Sequence, residues 1–405
     1  MKIAVWHNLP SGGGKRALYY HVRGLVQRGH TVSCWSLDNA DKTYLPLAEF
    51  GPERTVPLKE PAAKVFNLTP NYSAAVSRLR AFDEACRICA AEIDAGDFDL
   101  LFANSAQGYY VPYVMRHVRM KKVLYLQELG RYLYEARPIL PWVANMTEDL
   151  DETSLFPSKR RLSEYANVQT LRLQAKQEWL NVRACDRVLV NSYFSRENIL
   201  RSYGVEAKVC YLGIDTKLFR DLGLTRERTV VGLGSFDPIK GIELAVRAMA
   251  LLPEPRPPLK WIANSGSEDY QRSVQDLARS VGVDLQVRQA ISDEELVTTL
   301  NRAALLLSTS RLEPFGFAPL EANACGLPVV GIAEGGIRET VQHGLNGFLV
   351  EPEAERIAEA VQKLLDDPAQ ARELGTRAMA HVQQHWDVET SIDRLEKNLL
   401  EVAQQ

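Results

Sequence analysis

Residues 310–350 read SRLEPFGFAPLEANACGLPVVGIAEGGIRETVQHGLNGFLV and hold the densest set of chemically informative residues in the chain. Two glutamates, Glu313 and Glu321, stand on either side of the run 315–319, which ends in Pro319. Proline suits the first position of a helix, because its missing N–H would have no partner there. The free amides and partial positive charge of that helix terminus predict a diphosphate site.

The same stretch suggests roles for the backbone of Gly316 and for the side chains of Glu313 and Glu321. Gly316 allows the backbone to approach a ligand closely, because it carries no Cβ. Glu321 stands one turn inside the predicted helix, where its carboxylate can reach a ribose. Glu313 precedes the loop and can accept hydrogen bonds from sugar hydroxyls.

Outside this stretch, short apolar runs alternate with segments of helical length. The absence of hairpin turn signals between the runs indicates parallel βαβ units, and therefore an α/β fold of doubly wound sheets. The predicted strands form two series, 2–7, 31–37, 100–103, 122–126 and 187–191, then 229–233, 259–263, 284–288, 304–308 and 328–332. Two series predict two Rossmann-like domains.

The length of 405 residues agrees with two domains of ordinary size. We predict an N-terminal domain over residues 1–220 and a C-terminal domain over residues 221–385, with the boundary in the segment 215–227. Residues 386–405 form an amphipathic pattern, and we predict that this last helix packs back on the first domain.

The composition describes an ordinary globular chain, with 46% hydrophobic and 24% charged residues. No run of 18 apolar residues occurs, so a spanning helix is not expected. The start, MKIAVWHNLPSGGG, reads as a strand that enters a glycine loop and not as a signal peptide, which predicts a cytoplasmic protein. Six cysteines are too few for a disulfide framework, and Cys86 and Cys89 are interpreted as buried thiols.

Charge is divided unequally along the chain. Residues 1–220 carry 30 Lys and Arg against 23 Asp and Glu, whereas the remainder carries 18 against 28. This asymmetry leaves open a peripheral contact of the first domain with an anionic membrane surface, although solvated surface charge explains it as well. No motif indicates nucleic-acid binding. His381 and His385 have helical spacing but lack a suitable third ligand, so no metal site is predicted.

The chain resembles glycosyltransferase family 4, whose members are retaining enzymes of the GT-B fold. Besides the block at 310–350, the resemblance rests on HNLPSGGGKRA, VRGLVQRGHTVSCWS, VLVNSYFSRENILRSYG, YLGIDTKLF and FDPIKG, and it covers nearly the whole chain. It implies two Rossmann-like domains that face each other across a cleft.

The resemblance also implies roles for individual positions. Glu313 matches the residue that orients the transferred sugar, Glu321 the one that binds the ribose, and Lys240 the one that neutralises the diphosphate. The predicted catalytic residues are therefore Glu313 and Lys240. The predicted donor-binding set is Gly13, Gly14, Ser235, Lys240, Phe315, Gly316, Phe317, Ala318 and Glu321. Gly13 and Gly14 would bring backbone amides to the diphosphate from the opposite domain.

Two departures from the family pattern concern charge at the donor site and the acceptor side. Ser235 stands where many members have an arginine, and Lys15, Arg16 or Arg311 are candidates to compensate for it. Asn104 stands where many members have a histidine. The predicted acceptor residues are Asn104, Gln127, Glu128 and Arg131, since polar side chains at strand ends suit sugar binding. Ordinary loop composition explains these four residues equally well.

The sequence thus predicts a retaining, metal-independent glycosyltransferase without a cofactor. Its donor substrate would be a nucleotide diphosphate sugar, a UDP- or GDP-sugar above all, and its acceptor a sugar, a lipid-linked or a small molecule. One alternative keeps the fold and changes the chemistry to that of a nucleotide-sugar epimerase or a phosphorylase. Another is a non-catalytic subunit that binds a nucleotide sugar. The sequence does not indicate an oligomeric state.

Overall fold

The computed structural model of the protein describes residues 1–59, 70–135 and 159–405. The described residues form two compact units. Unit 1 comprises Met1–Asn191, Ser195–Cys210 and Arg394–Gln405, and unit 2 comprises Ser192–Phe194 and Tyr211–Asp393. The predicted boundaries lie at 220 and 385, and the boundaries between the units lie at 210 and 393, apart from the short segment 192–194.

Unit 1 is a parallel sheet with helices on it. Its strands are β1 (Lys2–Asn8), β2 (Thr31–Leu37), β3 (Glu53–Val56), β4 (Leu100–Ala106), β5 (Lys122–Tyr125), β6 (Arg187–Val190) and β7 (Lys208–Val209). Its helices are α1 (Gly13–Gln27), α2 (Pro70–Asp94), α3 (Val114–His117), α4 (Arg131–Tyr134), α5 (Lys159–Val182) and α6 (Tyr193–Tyr203), the first two residues of which belong to unit 2. A 3-10 turn covers Leu47–Glu49.

The strand order in unit 1 is β3-β2-β1-β4-β5-β6-β7, and every pairing is parallel. The central strand β1 is buried on both faces from Ile3 to Asn8, as expected for a parallel sheet covered by helices. The order of the strands reverses between β1 and β4. In doubly wound sheets, ligands bind outside the carboxyl ends of the strands at such a reversal.

Unit 2 repeats this arrangement with six strands. They are β8 (Val230–Leu233), β9 (Leu259–Ala263), β10 (Leu285–Gln289), β11 (Leu305–Ser308), β12 (Val329–Ile332) and β13 (Gly347–Val350). The helices are α7 (Ile242–Ala250), α8 (Glu268–Ser280), α9 (Asp293–Arg302), α10 (Phe317–Ala324), α11 (Ile337–Thr340), α12 (Ala354–Asp366), α13 (Pro368–His385) and α14 (Val388–Ala403), with a 3-10 turn at Pro238–Lys240. The strand order is β10-β9-β8-β11-β12-β13, so it reverses between β8 and β11.

Local capping explains where several helices of unit 2 begin. Ser267 and Ser292 precede α8 and α9, and each hydroxyl accepts a hydrogen bond from the backbone N–H three residues later. Asp367 does the same for α13, where Pro368 occupies the first helical position. These contacts satisfy amides that have no partner within their own helix, and the helices therefore start at these residues.

The predicted fold class is confirmed, because both units are doubly wound parallel sheets. Three strands, β3, β7 and β13, were not predicted. The strand β3 reads ERTV and β7 is only two residues long, so neither carries the apolar run that identifies a buried strand. Both lie at the edges of the first sheet, where a strand needs less apolar sequence.

The last part of α14 belongs to unit 1. Glu396 on this helix forms ion pairs with Arg28 at 3.0 Å and with His30 at 2.7 Å. Glu401, further along the same helix, contacts Arg187 at 2.7 Å and Lys208 at 2.9 Å. The apolar residues Leu395, Leu399 and Val402 of the same helix are buried. The end of α14 is thus bound to unit 1 by ion pairs as well as by apolar packing.

Within the described residues, none of the helices combines the length and the apolar character that crossing a bilayer requires.

Candidate active site

The predicted catalytic residues of unit 2 follow the two strands between which the sheet order reverses. Lys240 follows β8, and Glu313 follows β11. The carboxyl ends of neighbouring parallel strands lie at the same edge of a sheet, so the two loops meet there. The candidate site is therefore at the position where doubly wound folds bind ligands.

The turn that carries Lys240 is fixed by its neighbours. Asp237 Oδ1 accepts a hydrogen bond from Ile239 N at 3.0 Å and caps the turn. Gly241 ends the turn with a φ of 64°, and a Cβ at this position would lie 2.3 Å from the carbonyl oxygen of Thr309. The Thr309 hydroxyl donates to the carbonyl oxygen of Lys240 at 2.9 Å. Only glycine fits at 241, and it brings the lysine turn against the end of β11.

Lys240 and Glu313 form an ion pair across these loops. Lys240 Nζ lies 2.8 Å from Glu313 Oε2, and each side chain is about one-fifth exposed, at 23% and 22%. Gly234 lies beneath the lysine stem, with its ideal Cβ position 3.0 Å from Lys240 Cδ. The pair combines a cation suited to a phosphate with a carboxylate suited to sugar hydroxyls.

The backbone of the loop after Glu313 is held by two glycines. Gly336 N donates to the carbonyl oxygen of Glu313 at 2.7 Å. A Cβ on Gly336 would lie 2.2 Å from the carbonyl oxygen of Pro314, and one on Gly335 would lie 2.5 Å from that of Glu313. The Gly335-Gly336 pair of the sequence block therefore exists because the two chain segments touch at backbone distance.

The structure corrects the predicted start of the helix. Helix α10 begins at Phe317, so Pro319 is its third residue and not its first. Proline is tolerated there because the first four amides of a helix have no intrahelical acceptor. Gly316 is the N-cap residue with a φ of 104°, and it has no side chain with which to cap the helix. The amides of Phe317 and Ala318 thus stand at the positive end of the helix dipole.

Glu321 and Phe315 are more enclosed than Glu313. Glu321 lies in the second turn of α10 and is 7% exposed. Phe315 is 2% exposed, and its ring packs against Phe317 and Trp386 with centroid distances of 5.2 Å and 5.7 Å. The contribution of Phe315 to a ligand would accordingly come from its backbone.

Ser192 of unit 2 binds this loop directly, and Glu339 binds the backbone of the two residues that follow Ser192. The Ser192 hydroxyl donates to the carbonyl oxygen of Pro314 at 2.6 Å. Glu339 on α11 accepts hydrogen bonds from the backbone N–H groups of Tyr193 and Phe194, at 2.9 Å and 3.0 Å, and from the Tyr211 hydroxyl. Glu339 lies in the sequence block 310–350, but nothing local to the sequence identifies its partners.

The candidates to compensate for Ser235 have other contacts. Arg311 forms two hydrogen bonds to the carboxylate of Glu334, both at 2.8 Å, which raise the pKa of Arg311. Lys15 is fully buried in unit 1, and Arg16 donates to the Tyr44 hydroxyl at 2.9 Å. Ser235 itself is half-buried in the loop after β8.

At the corresponding edge of unit 1, three predicted residues lie together. Gln127 Nε2 donates to the carbonyl oxygen of Gly14 at 3.1 Å and lies 3.4 Å from Asn104 Oδ1. An ideal Cβ on Gly14 would lie 3.2 Å from Gln127 Oε1, so the side chain of Gln127 packs closely against the glycine loop. Gly13 is the first residue of α1. The first sheet thus places the glycine loop, the end of β4 and the end of β5 at its own strand reversal.

The other two predicted acceptor residues lie further along the same segment. Arg131 is the first residue of α4, is 8% exposed and pairs with Glu135 at 2.7 Å. Glu128 is half-buried in the turn before α4. The guanidinium of Arg131 is therefore already matched by a carboxylate on its own helix.

Beneath the glycine loop, unit 1 buries a polar cluster. His7 Nε2 lies 3.5 Å from Glu53 Oε1, and Ser36 donates to the same oxygen at 2.9 Å. The contact with His7 is the main cause that lowers the pKa of Glu53 to about 2. Burial lowers the pKa of both His7 and Lys15, and the nearby Glu53 carboxylate opposes that shift for each. Lys15 is therefore a structural component of this cluster and faces the core.

The cysteine thiols of unit 1 are structural. Cys86 and Cys89 are unpaired and buried, as predicted, and burial raises the pKa of both. Over residues 1–59, 70–135 and 159–405, no group of three or more His, Cys, Asp or Glu side chains is placed to hold a metal ion.

The chain is similar in sequence to curated glycosyltransferases over about half of its length. The chain is 31% identical over 231 residues to the D-inositol 3-phosphate glycosyltransferase of Acidothermus cellulolyticus, which covers 51% of each chain. It is 30% identical over 225 residues to the alpha-maltose-1-phosphate synthase of Mycolicibacterium smegmatis, covering 48% of this chain and 57% of the relative. The chain thus spans about half the length of the curated relatives it matches.

Solved structures match the fold over the whole chain. The sucrose-phosphate synthase of Thermosynechococcus elongatus aligns with a TM-score of 0.74 at 22% identity, covering 99% of both chains. Anabaena HepE in complex with UDP aligns with a TM-score of 0.70 at 20% identity, covering 99% of this chain and 100% of HepE. At these identities the similarity establishes the fold, which is that of the two-domain GT-B enzymes.

Family models match both parts of the sequence. The model for glycosyl transferases group 1 matches residues 215–381, which contain Lys240 and the whole block at 310–350. The model for glycosyltransferase family 4 matches residues 11–218, more than half of the 405 residues. The chain belongs to glycosyltransferase family 4.

Proposed function

We propose that this protein is a retaining glycosyltransferase that transfers a sugar from a nucleoside diphosphate donor to a hydroxyl group of its acceptor. The observation that carries the proposal is the ion pair between Lys240 and Glu313 at the strand reversal of unit 2, beside the N-terminus of α10. This edge offers a cation, free helix amides and a carboxylate within one short stretch of loops.

The donor would use these groups in different ways. The amides of Phe317 and Ala318 and the ammonium of Lys240 suit the diphosphate, because each presents positive charge to an anion. Glu313 suits the hydroxyls of the transferred sugar, since a carboxylate accepts hydrogen bonds from them. Glu321 lies one turn inside α10, where it is positioned to accept from ribose hydroxyls.

The proposed chemistry is a front-face displacement. The bond between the anomeric carbon and the diphosphate oxygen breaks, and the acceptor oxygen forms its bond to the same carbon from the same face. The proton of the acceptor hydroxyl passes to the departing diphosphate. Lys240 stabilises the negative charge that develops on the leaving group, which is where an electrostatic contribution lowers the barrier most.

The donor base and the acceptor are the finer parts of the proposal. UDP is favoured as the nucleotide, because HepE, which has the same fold, was crystallised with UDP and with UDP-glucose. The acceptor would be a phosphorylated polyol or a hydroxyl-bearing carbohydrate, since a relative is named D-inositol 3-phosphate glycosyltransferase. In unit 1, Asn104 and Gln127 at the strand reversal are the groups we assign to this acceptor.

A thermal-shift screen against UDP-, GDP-, ADP- and TDP-sugars tests the donor assignment. A ligand at about a hundredfold excess over its Kd stabilises a protein by about 2.7 kcal/mol, so one nucleotide series is expected to raise the unfolding temperature clearly. The active donor is then incubated with D-inositol 3-phosphate and with neutral monosaccharides, and the anomeric configuration of the product is read by NMR.

Each result separates the proposal from its alternatives. A product with the donor's anomeric configuration supports retention, and an inverted product excludes front-face displacement. Conversion of the donor to its epimer without an acceptor indicates epimerase chemistry. Binding of a nucleotide sugar without hydrolysis or transfer indicates the non-catalytic subunit. Full activity after treatment with a chelator is expected, since the site offers Lys240 and helix amides for the diphosphate.

A further inference from the structure

A stripe of buried polar side chains on helix α5 is directed at an irregular loop of unit 1. Gln174, Glu178 and Asn181 follow one another at helical spacing and are 6%, 1% and 1% exposed. Residues at this spacing share one face of a helix. Burial of polar side chains costs free energy unless they form hydrogen bonds, so these three residues require polar partners.

The partners are backbone groups of the loop 107–111, which follows β4. Gln174 Nε2 donates to the carbonyl oxygen of Gly108 at 2.9 Å, and Asn181 Nδ2 donates to that of Val111 at 2.7 Å. Glu178 accepts a hydrogen bond from the backbone of Tyr110. The helix thereby satisfies the polar backbone of a loop that forms no sheet ladder.

The loop 107–111 lies at the strand reversal to which we assign the acceptor. Its first amide, that of Gln107, donates to the carbonyl oxygen of Asn8 at the end of β1. Tyr132 on α4 joins the same assembly, because its hydroxyl donates to the carbonyl oxygen of Gly108 at 3.0 Å and contacts Gln174. The rings of Tyr110 and Tyr132 lie with their centroids 6.3 Å apart.

Glu178 occupies the centre of the network. Gln174 Nε2 donates to its Oε1 at 3.0 Å, and the Tyr203 hydroxyl on α6 donates to its Oε2 at 2.8 Å. Together with the Tyr110 backbone, three donors from three segments converge on one buried carboxylate. Such an arrangement is satisfied by a carboxylate and cannot be satisfied in full by a group that must itself donate.

We propose that Glu178 is a positioning residue that fixes the loop 107–111 and Tyr132 at the acceptor-binding edge of unit 1. This inference rests on the proposed function, and it assigns Glu178 no contact with either substrate. Gln174 and Asn181 act with it by fixing the two ends of the same loop. Loss of the Glu178 carboxylate would weaken acceptor binding and leave donor binding in unit 2 unchanged.

The ionisation of Glu178 predicts that the stability of the loop 107–111 depends on pH, which a purely steric role of this residue would not produce. Burial raises the pKa of Glu178 to about 7, and the hydrogen bonds from Gln174, Tyr203 and Tyr110 oppose this shift. The titratable groups that face it are phenols, namely Tyr203 on α6 and Tyr132 and Tyr134 on α4, and burial raises the pKa of each above its usual range. These phenols stay neutral near pH 7, so Glu178 is the group that changes charge there. Protonation below about pH 7 would remove one of its three acceptor contacts.

The test compares full-length wild type with Glu178→Gln, and uses Lys176→Gln as the matched control. Lys176 is exposed on the same helix, and its substitution changes charge without touching the loop. Hydrogen exchange of the amides of residues 107–111 is measured by mass spectrometry between about pH 6 and pH 8. After correction for intrinsic exchange, the wild-type loop is expected to be protected less below about pH 7 than above it, and Glu178→Gln about tenfold less than wild type at pH 8.

The kinetic arm uses UDP-glucose as donor and D-inositol 3-phosphate and D-glucose as acceptor probes. Glu178→Gln is expected to raise the acceptor KM about tenfold and to leave UDP-glucose binding within about twofold of wild type. Tyr203→Phe keeps the carboxylate and removes one donor, so it should give a smaller change of the same kind. It also serves if Glu178→Gln does not fold.

The inference would be overturned if Glu178→Gln and Tyr203→Phe both left the hydrogen-exchange protection of residues 107–111 unchanged. Equal losses of donor and acceptor binding in Glu178→Gln would overturn it as well. Absence of any transfer by wild type would contradict the proposed function instead, and the exchange experiment would still decide whether Glu178 holds the loop.

Discussion

Lys240 Nζ lies 2.8 Å from Glu313 Oε2, and this contact joins the loops after β8 and β11, between which the order of the second sheet reverses. The two residues are 73 positions apart in the sequence. Their pairing places a positive charge beside the carboxylate before any donor arrives. The ion pair holds the ammonium of Lys240 in position. A diphosphate that binds there would compete with Glu313 for that ammonium.

Replacement of Lys240 by alanine should slow transfer without unfolding the protein. Loss of a preorganised electrostatic contact to the leaving group typically lowers kcat by about 10²–10³. Lys217→Ala removes an exposed lysine of the same unit and should leave the rate unchanged. Steady-state kinetics with the active nucleotide sugar measure both. A Lys240→Ala rate within about threefold of wild type would remove the residue from the mechanism.

Alanine at Gly316 should damage donor binding as well as stability. Gly316 has a φ of 104°, and a Cβ there would lie 3.0 Å from Thr340 Oγ1. Both features displace the loop at the N-terminus of α10. We expect a stability loss of about 1–2 kcal/mol and a weaker affinity for UDP.

Gly344→Ala is the matched control for this change. Gly344 also has a positive φ, of 80°, but no atom lies within 4 Å of its ideal Cβ position. It should therefore lose stability through backbone strain and keep its UDP affinity. Calorimetric titration and thermal unfolding separate the two effects, and equal UDP affinities of the two variants would contradict a role for Gly316 in donor binding.

Introduction of arginine at Ser235 should strengthen binding of the nucleoside diphosphate. The position follows β8 in the loop that leads to Lys240, and a guanidinium there adds a second cation near the expected phosphates. We expect UDP affinity to rise about fivefold, or about 1 kcal/mol, and the gain to shrink at high salt. Ser280→Arg makes the same charge change at the end of α8, which leads away from the carboxyl edge of the sheet, and should have no effect on UDP binding.

The stability of unit 1 should depend on His21 in mildly acidic solution. Burial lowers the pKa of His21 to about 4, and its ring packs near Phe102 and Tyr125. The unfolded chain takes up this proton near pH 6.5, whereas the folded chain takes it up only near pH 4. Stability is therefore complete above pH 6.5 and falls as the pH decreases from 6.5 to about 4, by about 3 kcal/mol in total.

His21→Leu is expected to remove this part of the pH dependence, and His343→Gln, at an exposed turn, is expected to retain it. Urea unfolding at a series of pH values provides the measurement. If the unfolding free energy of His21→Leu changes with pH between 6.5 and 4 as steeply as that of wild type, other groups dominate acid destabilisation.

Some features of the candidate site follow from local sequence. The glutamates, Gly316 and the glycine pair of residues 335–336 belong to one block whose spacing indicated a helix terminus next to a ligand. The two parallel sheets were also predictable, because buried parallel strands are continuous apolar runs separated by segments of helical length. Helix α10 nevertheless starts two residues before Pro319, since proline is compatible with any of the first positions of a helix.

Other features depend on partners that lie far away in the sequence. Lys15 and Arg311 were both candidates to supply charge at the donor site, but the fold buries Lys15 beside Glu53 and pairs Arg311 with Glu334. The sequence indicated a polar helix at α5, either solvated or facing an acceptor, but it did not identify the partners of Gln174, Glu178 and Asn181. Those partners lie in a loop that only the fold packs against the helix.

The amino-acid sequence by itself determined the two doubly wound sheets, the helix terminus with its free amides and the family of the chain, because these depend on short-range periodicity and on motifs within a few dozen residues. The tertiary structure alone decided that Lys240 meets Glu313, that Ser192 binds Pro314 and that Gln174 and Asn181 bind the loop 107–111. Those contacts depend on the strand order and the packing of helices on the sheet, which bring distant residues to within hydrogen-bonding distance.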